Sequence, residues 1–377
     1  MNSVYNIQTL EKLIRDAHLR RKFCTAYFKK ALPPEECMGF APSFFKDLEH
    51  LKGAGSACLE IVERHDSKTD GATKLVFRTK SVLSEVEEQA DQHRVEAVIL
   101  RIASGRTSLC ISSQVGCAAD CQFCATGKLG FIRNLTAAEM LDQVLLAKRL
   151  LREEGRTLRN VVIMGMGEPL HNETNLFQCL ETLRDPRLFN LSESHLMVST
   201  VGVPDAMVRF AERFPNIQLA LSLHSARQEV REKLMPVAKF QTLEKLRDIF
   251  PLDQRERGFA IAKQRPEGVA NLGKMMVEYL MLKGINDGPE DLAALIEFLR
   301  GTNARINLIQ FNAHPGAQFE PVTLEARKAF GDELKKAGFK VTLRYSLGDD
   351  IAAACGQLAG SSFSVPDSQF GSWNSEL

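Results

Sequence analysis

No run of about 18 apolar residues occurs anywhere in this chain of 377 residues, so no segment reads as a membrane-spanning helix. The opening MNSVYNIQTLEKLIRD has no cationic stretch followed by an apolar core, and so does not read as a secretory leader. Cysteine is sparse as well, since nine residues cannot build a disulfide scaffold of this size. These absences give the expectation of a cytoplasmic protein with no membrane partner. Neither charge sign dominates, with 48 Lys and Arg against 47 Asp and Glu and a net charge of +1. A nucleic-acid partner would therefore be met by local basic patches rather than by a global field. No internal repeat is found. What remains is an ordinary globular composition, 44% hydrophobic and 25% charged, at a length that predicts two domains or one large domain with an extension.

The first 52 residues read as short helices. LEKLIRDAHLRRKF and PSFFKDLEHL carry apolar residues at helical spacing and are separated by the turn signal LPPEE. In the first thirty residues seven cations, Lys12, Arg15, Arg20, Arg21, Lys22, Lys29 and Lys30, stand against Glu11 and Asp16. They suit a solvated helix face or a surface that contacts a phosphate backbone. Over 53–100, CLEIVERH, TKLVFRT and VEAVILRI read as short strands of a small linking sheet.

From 101 to 360 strands alternate with helices. SLCISS, NVVIMGM, HLMVSTV, IQLALSL, MVEYLML and INLIQF read as six buried strands, followed by a last helix, TLEARKAFGDELKKAGF, and a last strand, KVTLRYS. Continuous apolar strands with intervening helices predict an α/β fold with a parallel sheet, either open and doubly wound or a full or partial barrel. Both place their ligands at the C-terminal strand ends. Residues 253–272 read as a polar insertion, and 361–377 as a flexible Ser-rich tail.

The cysteines are unevenly spread. Cys24, Cys37, Cys58 and Cys179 are scattered and suit small buried hydrophobes. Cys110, Cys117, Cys121 and Cys124 fall close together, and Cys355 stands alone near the end. Cys117, Cys121 and Cys124 form a Cx3Cx2C loop directly after the strand SLCISS. Three thiolates on one loop suit three irons of a cubane cluster and leave the fourth iron open to substrate, unlike a four-cysteine electron-transfer cluster. A closed zinc site would need a fourth ligand, with Cys110 the nearest candidate. A second signal is the turn Gly165-Met166-Gly167-Glu168-Pro169 at the end of NVVIMGM, where glycine permits close backbone approach and Pro ends the strand. Beside the cysteine loop, Glu168 could accept hydrogen bonds from the amino group of a bound amino acid.

The Cx3Cx2C loop and the GMGEP turn resemble the radical S-adenosylmethionine superfamily. The longer string SLCISSQVGCAADCQFCATGKLGFIRNLT, with SLH and DDIAAACGQLAG, is similar to its RlmN/Cfr family of RNA adenine methyltransferases, over about Val95 to Gly360. That resemblance implies a partial (β/α)6 barrel of radical type, with a small N-terminal helical accessory domain for RNA and a short linking β region. It implies one [4Fe–4S] cluster per chain held by Cys117, Cys121 and Cys124, and two S-adenosylmethionine molecules per turnover. Cofactor contacts would come from Gly167, Glu168, Ser199, Ser222, Leu223, His224 and Asn312. Read alone, His224 is equally a hydrogen-bonded structural histidine, and Asn312 an Asx-turn residue.

By the same resemblance Cys355 carries the methyl group, Cys110 resolves the intermediate as a disulfide, and Glu96 accepts a proton. Adenine C2 and C8 have no lone pair with which to attack a sulfonium methyl, which is why a carbon radical is needed. The implied partners are 23S ribosomal RNA, with transfer RNA as a second substrate, and a low-potential donor such as flavodoxin or ferredoxin. A monomer is expected. C2 is the expected site, with C8 as the alternative. A radical enzyme acting on a small molecule or peptide would leave Cys110 and Cys355 without paired roles. A zinc-binding RNA module would leave the strand-end motifs unexplained.

Overall fold

A computed structural model describes residues 4–40, 58–79, 93–249 and 275–360. The expected helix PSFFKDLEHL, the 253–272 insertion and the tail from 361 lie outside the described residues. Ten strands form one sheet: β1 (Leu59–Asp66), β2 (Ala72–Thr79), β3 (Arg94–Arg101), β4 (Thr107–Ile111), β7 (Asn160–Ile163), β8 (Leu196–Thr200), β9 (Gln218–Ser222), β10 (Met276–Met281), β11 (Arg305–Gln310) and β12 (Lys340–Arg344), hydrogen-bonded in that order. A second sheet pairs β5 (Gln114–Gly116) with β6 (Phe131–Asn134).

All six expected barrel strands form, and each is parallel to the next from β4 through β11. β12 joins β11 in parallel as a seventh. Helices Ala137–Glu153, Glu173–Arg184, Pro204–Arg213, Pro289–Leu299 and Leu324–Lys336 lie in the crossovers, as parallel strands require. Helix Ala137–Glu153 starts at a capping box. The Thr136 side chain accepts the Glu139 N–H and Glu139 accepts the Thr136 N–H, a reciprocal cap. Arg133 then grips the same Glu139 carboxylate through two nitrogens, at 2.7 and 3.0 Å.

The strands of the linking region do not make a separate small sheet. β1, β2 and β3 are antiparallel and continue into the main sheet, with β3 paired to β4 so that Val98 faces Cys110. The five successive buried positions of β3, Val95 to Ile99, explain this, because a strand covered on both faces is an interior strand. β1 keeps the exposed, charged pattern of an edge.

The described N-terminal helices, Ile7–Leu13, Ala17–Cys24 and Pro34–Cys37, lay their apolar side into the main core. Tyr5 and Phe28 pack against Phe189, and Phe28 packs edge-on to Tyr27. The Tyr5 hydroxyl donates to Asp142, and Lys148 Nζ donates to the Phe28 carbonyl at 2.5 Å. The basic side chains of this segment face solvent, except Arg20, which turns back to the Ile14 carbonyl at 2.8 Å. Cys24, Cys37 and Cys179 are buried as expected, whereas Cys58 is only half-buried at the entrance to β1.

Candidate active site

At the C-terminal ends of the parallel strands lies a cavity of about 430 Å³, the place where a parallel α/β sheet presents its ligands. Its walls bring together Cys110, the three loop cysteines, Gly167, Glu168, Ser199, Ser222, His224 and Cys355. Residues separated by more than 230 positions in sequence thus share one enclosure.

Ser112, at the end of β4, sets the geometry. Its backbone exchanges hydrogen bonds with the Gln143 amide, its hydroxyl donates to the Glu96 carbonyl at 2.6 Å, and the same oxygen accepts the Met166 N–H at 2.8 Å. The GMGEP turn is thereby held against the start of the cysteine loop. Glycine is required there. A Cβ on Gly165 would stand 2.8 Å from the Ile111 carbonyl, and Gly167, at φ +98°, would meet Gln114 Cβ at 2.5 Å.

Beyond β5 the chain enters the cysteine loop, with the Cys117 N–H on the Gly130 carbonyl and the Cys124 N–H on the Cys121 carbonyl. The three thiols lie close enough to repel one another on ionisation. Burial pushes Cys117 up to about 12, Cys121 well above the thiol range, and Cys124 upward against the amide groups of Gly127 and Thr126. Thiols buried this deeply stay protonated even with Arg231 near Cys121, whereas coordination to iron deprotonates them. Among the described residues no three His, Cys, Asp or Glu are arranged to hold a single metal ion. A cubane interposes its own sulfides between the thiolates, so its three ligands need not converge on one ion. Cys110, the fourth ligand a zinc site would need, has Cys355 and Arg344 rather than a loop cysteine as its neighbours, and burial pushes it up to about 12. The donor set fits an iron–sulfur cluster held by three thiolates.

Glu168 is buried, its two oxygens accepting the N–H groups of Leu170 at 2.9 Å and Val201 at 2.8 Å. Burial outweighs those bonds and pushes its carboxyl up to about 7. Ser199 and Ser222, on neighbouring strand ends, share a hydrogen bond of 3.0 Å. His224 sits at φ +58°, a left-handed conformation held by Asn286, whose amide donates to its carbonyl at 2.6 Å. Its Nδ1 accepts the Leu280 N–H at 3.0 Å, and burial, with Arg231 nearby, drives its pKa down to about 3. The ring is therefore neutral with Nε2 as its N–H donor. Phe123, between the last two cysteines, packs edge-on against it at 4.8 Å.

Three expected site residues stand elsewhere. Leu223 points into the core, because side chains alternate along the extended chain and its neighbours take the cavity face. Asn312 does not line the cavity and instead donates to the Cys355 carbonyl at 3.1 Å. Glu96 is 1% exposed, beneath the turn that carries Cys355; it accepts the Ala359 N–H at 2.9 Å and lies 3.7 Å from Lys74 Nζ.

The Cys355 turn is laced to its surroundings. Ala125 N–H donates to the Gly356 carbonyl at 2.7 Å, the Thr126 hydroxyl donates to the Leu358 carbonyl at 2.6 Å, and Gln357 bridges Ala313 and Asp349. Two residues that the motifs did not flag complete the wall. Glu278 is a buried carboxylate whose Oε1 accepts from Asn307, while Oε2 has no hydrogen-bond partner. Burial pushes its carboxyl up, against the pull of Arg344 at 3.9 Å and of Asn307. Arg344 is held above its ordinary range first by Cys355, then by Glu278 and Cys110, against the effect of burial. A lone carboxylate inside MVEYLML is a signal that periodicity alone passes over.

Residues 111–299 match the radical SAM superfamily. The chain is 47% identical over 307 residues to a probable RNA methyltransferase of Rhodopirellula baltica, covering 80% of this chain and 73% of that one. It is 35% identical over 347 residues to a protein of Syntrophobacter fumaroxidans named dual-specificity RNA methyltransferase RlmN, covering 91% and 92%. A radical SAM methyltransferase structure from Sphaerobacter thermophilus superposes with a TM-score of 0.81 at 31% identity, over 96% of this chain and all of that one.

Proposed function

The chain belongs to the radical S-adenosylmethionine superfamily and, within it, to the RlmN-type RNA methyltransferases, and from that premise we propose that it methylates C2 of an adenosine in 23S ribosomal RNA, and in transfer RNA, through a methyl group carried on Cys355. The observation that carries this reading is the presence of Cys355 and Cys110 in the wall of the cavity that also holds the cysteine trio. A radical enzyme acting on a small molecule would have no use for that sulfur pair.

Cys117, Cys121 and Cys124 would hold one [4Fe–4S] cluster. When bound, it supplies the single low-potential electron that turns S-adenosylmethionine into a carbon radical. Gly167 would offer backbone to the cofactor, Glu168 would accept hydrogen bonds from its amino group, and the Ser199–Ser222 pair and His224 Nε2–H would line its remaining length. Arg344 lines the same wall as Cys355, whose thiolate would take a methyl group from a first S-adenosylmethionine. Once that carbon is joined to the base, Cys110 thiolate attacks the Cys355 sulfur. The S–S bond forms, the bond from sulfur to the carried carbon breaks, and that electron pair returns to carbon and takes a proton. The disulfide would form during turnover. Asn312 and Glu96 would act by fixing the Cys355 turn; as the acidic residue of the family motif, Glu96 would also receive the proton lost from the ring.

The named RNA methyltransferases support RNA as the substrate. No described helix is long and apolar enough to cross a membrane, and we assign the chain to the cytoplasm, working as a monomer with a flavodoxin or ferredoxin. Mass spectrometry of ribosomal and transfer RNA nucleosides from cells with and without the gene tests the reading. Loss of 2-methyladenosine is expected on deletion; loss of 8-methyladenosine instead would move the reaction to C8, and no change in either would end the proposal.

A further inference from the structure

Six large hydrophobic side chains among the described residues are exposed, and two of them, Ile102 and Tyr345, also line the cavity. An exposed side chain that borders a cavity stands at its rim. Tyr345 follows the last residue of β12 and is 62% exposed. Arg327, from helix Leu324–Lys336, lies over its ring with Cζ 5.7 Å from the centroid. Arg327 is only 2% exposed, its Nε and Nη1 have no hydrogen-bond partner, and Nη2 makes one long contact of 3.4 Å with Gln310. A buried guanidinium so poorly paired has the ring as its main partner. It fixes the ring from the side it covers and leaves most of the residue in water.

Ile102 lies on the hairpin between β3 and β4, and its N–H donates to the Arg106 carbonyl at 2.9 Å. Arg106 is exposed and bonded to the Ser104 hydroxyl at 3.2 Å, with no carboxylate to neutralise it among the described residues. A flat fixed ring thus stands at the rim, and an exposed cation lies on the hairpin that carries Ile102; single-stranded nucleic acid engages such features through its bases and its phosphates.

Resting on the function proposed above, we infer that Tyr345 is the platform on which the RNA stacks the base it offers to the cavity. Chemistry on a ring carbon requires the base to leave its helical stack. The lost stacking is recovered on an aromatic face that is already ordered.

The test separates the two half-reactions. Methyl uptake on Cys355 from labelled S-adenosylmethionine needs no RNA; steady-state methylation of in vitro transcribed 23S ribosomal RNA does. With Tyr345→Ala and Tyr345→Leu we expect the KM for RNA to rise about tenfold, with Tyr345→Phe within about twofold of the parent, and methyl uptake unchanged in all three. An unchanged KM in Tyr345→Ala would overturn the inference. So would Tyr345→Leu matching Tyr345→Phe, since a merely apolar rim would then suffice. Methyl uptake falling together with RNA methylation would also overturn it, by placing the ring on the cofactor. A parent protein that takes up methyl groups yet leaves the transcript unmodified would overturn the reading of the substrate itself, and the inference with it.

Discussion

The carboxylate of Glu96, in the middle of β3, accepts the backbone N–H of Ala359 at 2.9 Å. That single bond ties the antiparallel flank of the sheet to the turn that presents Cys355. A buried, charge-assisted bond of this kind contributes about 1.5–3 kcal/mol. Glu96→Ala is expected to slow methyl uptake on Cys355 and to lower the melting temperature by several degrees. Glu96→Gln keeps an acceptor for Ala359 and should leave uptake within about threefold of the parent, while RNA methylation falls much further if the carboxylate takes the ring proton. Equal losses of both activities in Glu96→Gln would leave it only the tethering role.

Replacing any one of Cys117, Cys121 or Cys124 with Ser should abolish the absorbance near 400 nm of anaerobically reconstituted protein and its content of about four irons per chain. Cys110→Ala should keep both. Stoichiometric zinc that is lost in Cys110→Ala would instead identify a closed four-ligand site.

Cys355→Ala should end both methyl uptake and RNA methylation. Cys110→Ala should take up the methyl group, join to RNA and stop there, giving an adduct that denaturing gels retain and nuclease digestion shortens. Full turnover by Cys110→Ala without an adduct would remove its resolving role.

Asp142 accepts from the Tyr5 hydroxyl and the Leu59 N–H, yet burial raises its carboxyl to about 6. A raised folded-state value means that the native protein binds more protons than the unfolded chain between about pH 4 and 6, so stability falls as pH rises through that window and then levels. The loss attributable to this group is about 2–3 kcal/mol. Denaturant unfolding of the parent and of Asp142→Asn at pH 4 to 7 measures it: the slope over that window should be shallower in the variant, and identical slopes would refute the assignment.

The barrel was legible because its strands are continuous apolar runs separated by segments of helical spacing. The cysteine loop and the glycine turn were legible because spacing and glycine placement are local properties of the chain. Non-local pairing was not. Nothing in VEAVILRI says that it will lie beside SLCISS rather than close a small sheet of its own, since any apolar strand offers the same hydrogen-bonding groups to any neighbour. Leu223 sits inside a correctly placed motif, but its direction depends on which face the strand end presents. Glu278 and Arg344 meet across two strands and owe their proximity to parallel register, which no single-strand pattern encodes.

The superfamily match spans 111–299, whereas Val98, Leu100, Ile102, Cys110, Arg344, Tyr345 and Cys355, all of which line the cavity, lie outside it. Part of the cavity wall is therefore contributed by stretches on either side of the matched region, which close around the cysteine loop. Remodelling those flanking stretches alone could redirect the same chemistry toward a differently shaped nucleic acid, with the cysteine loop left untouched.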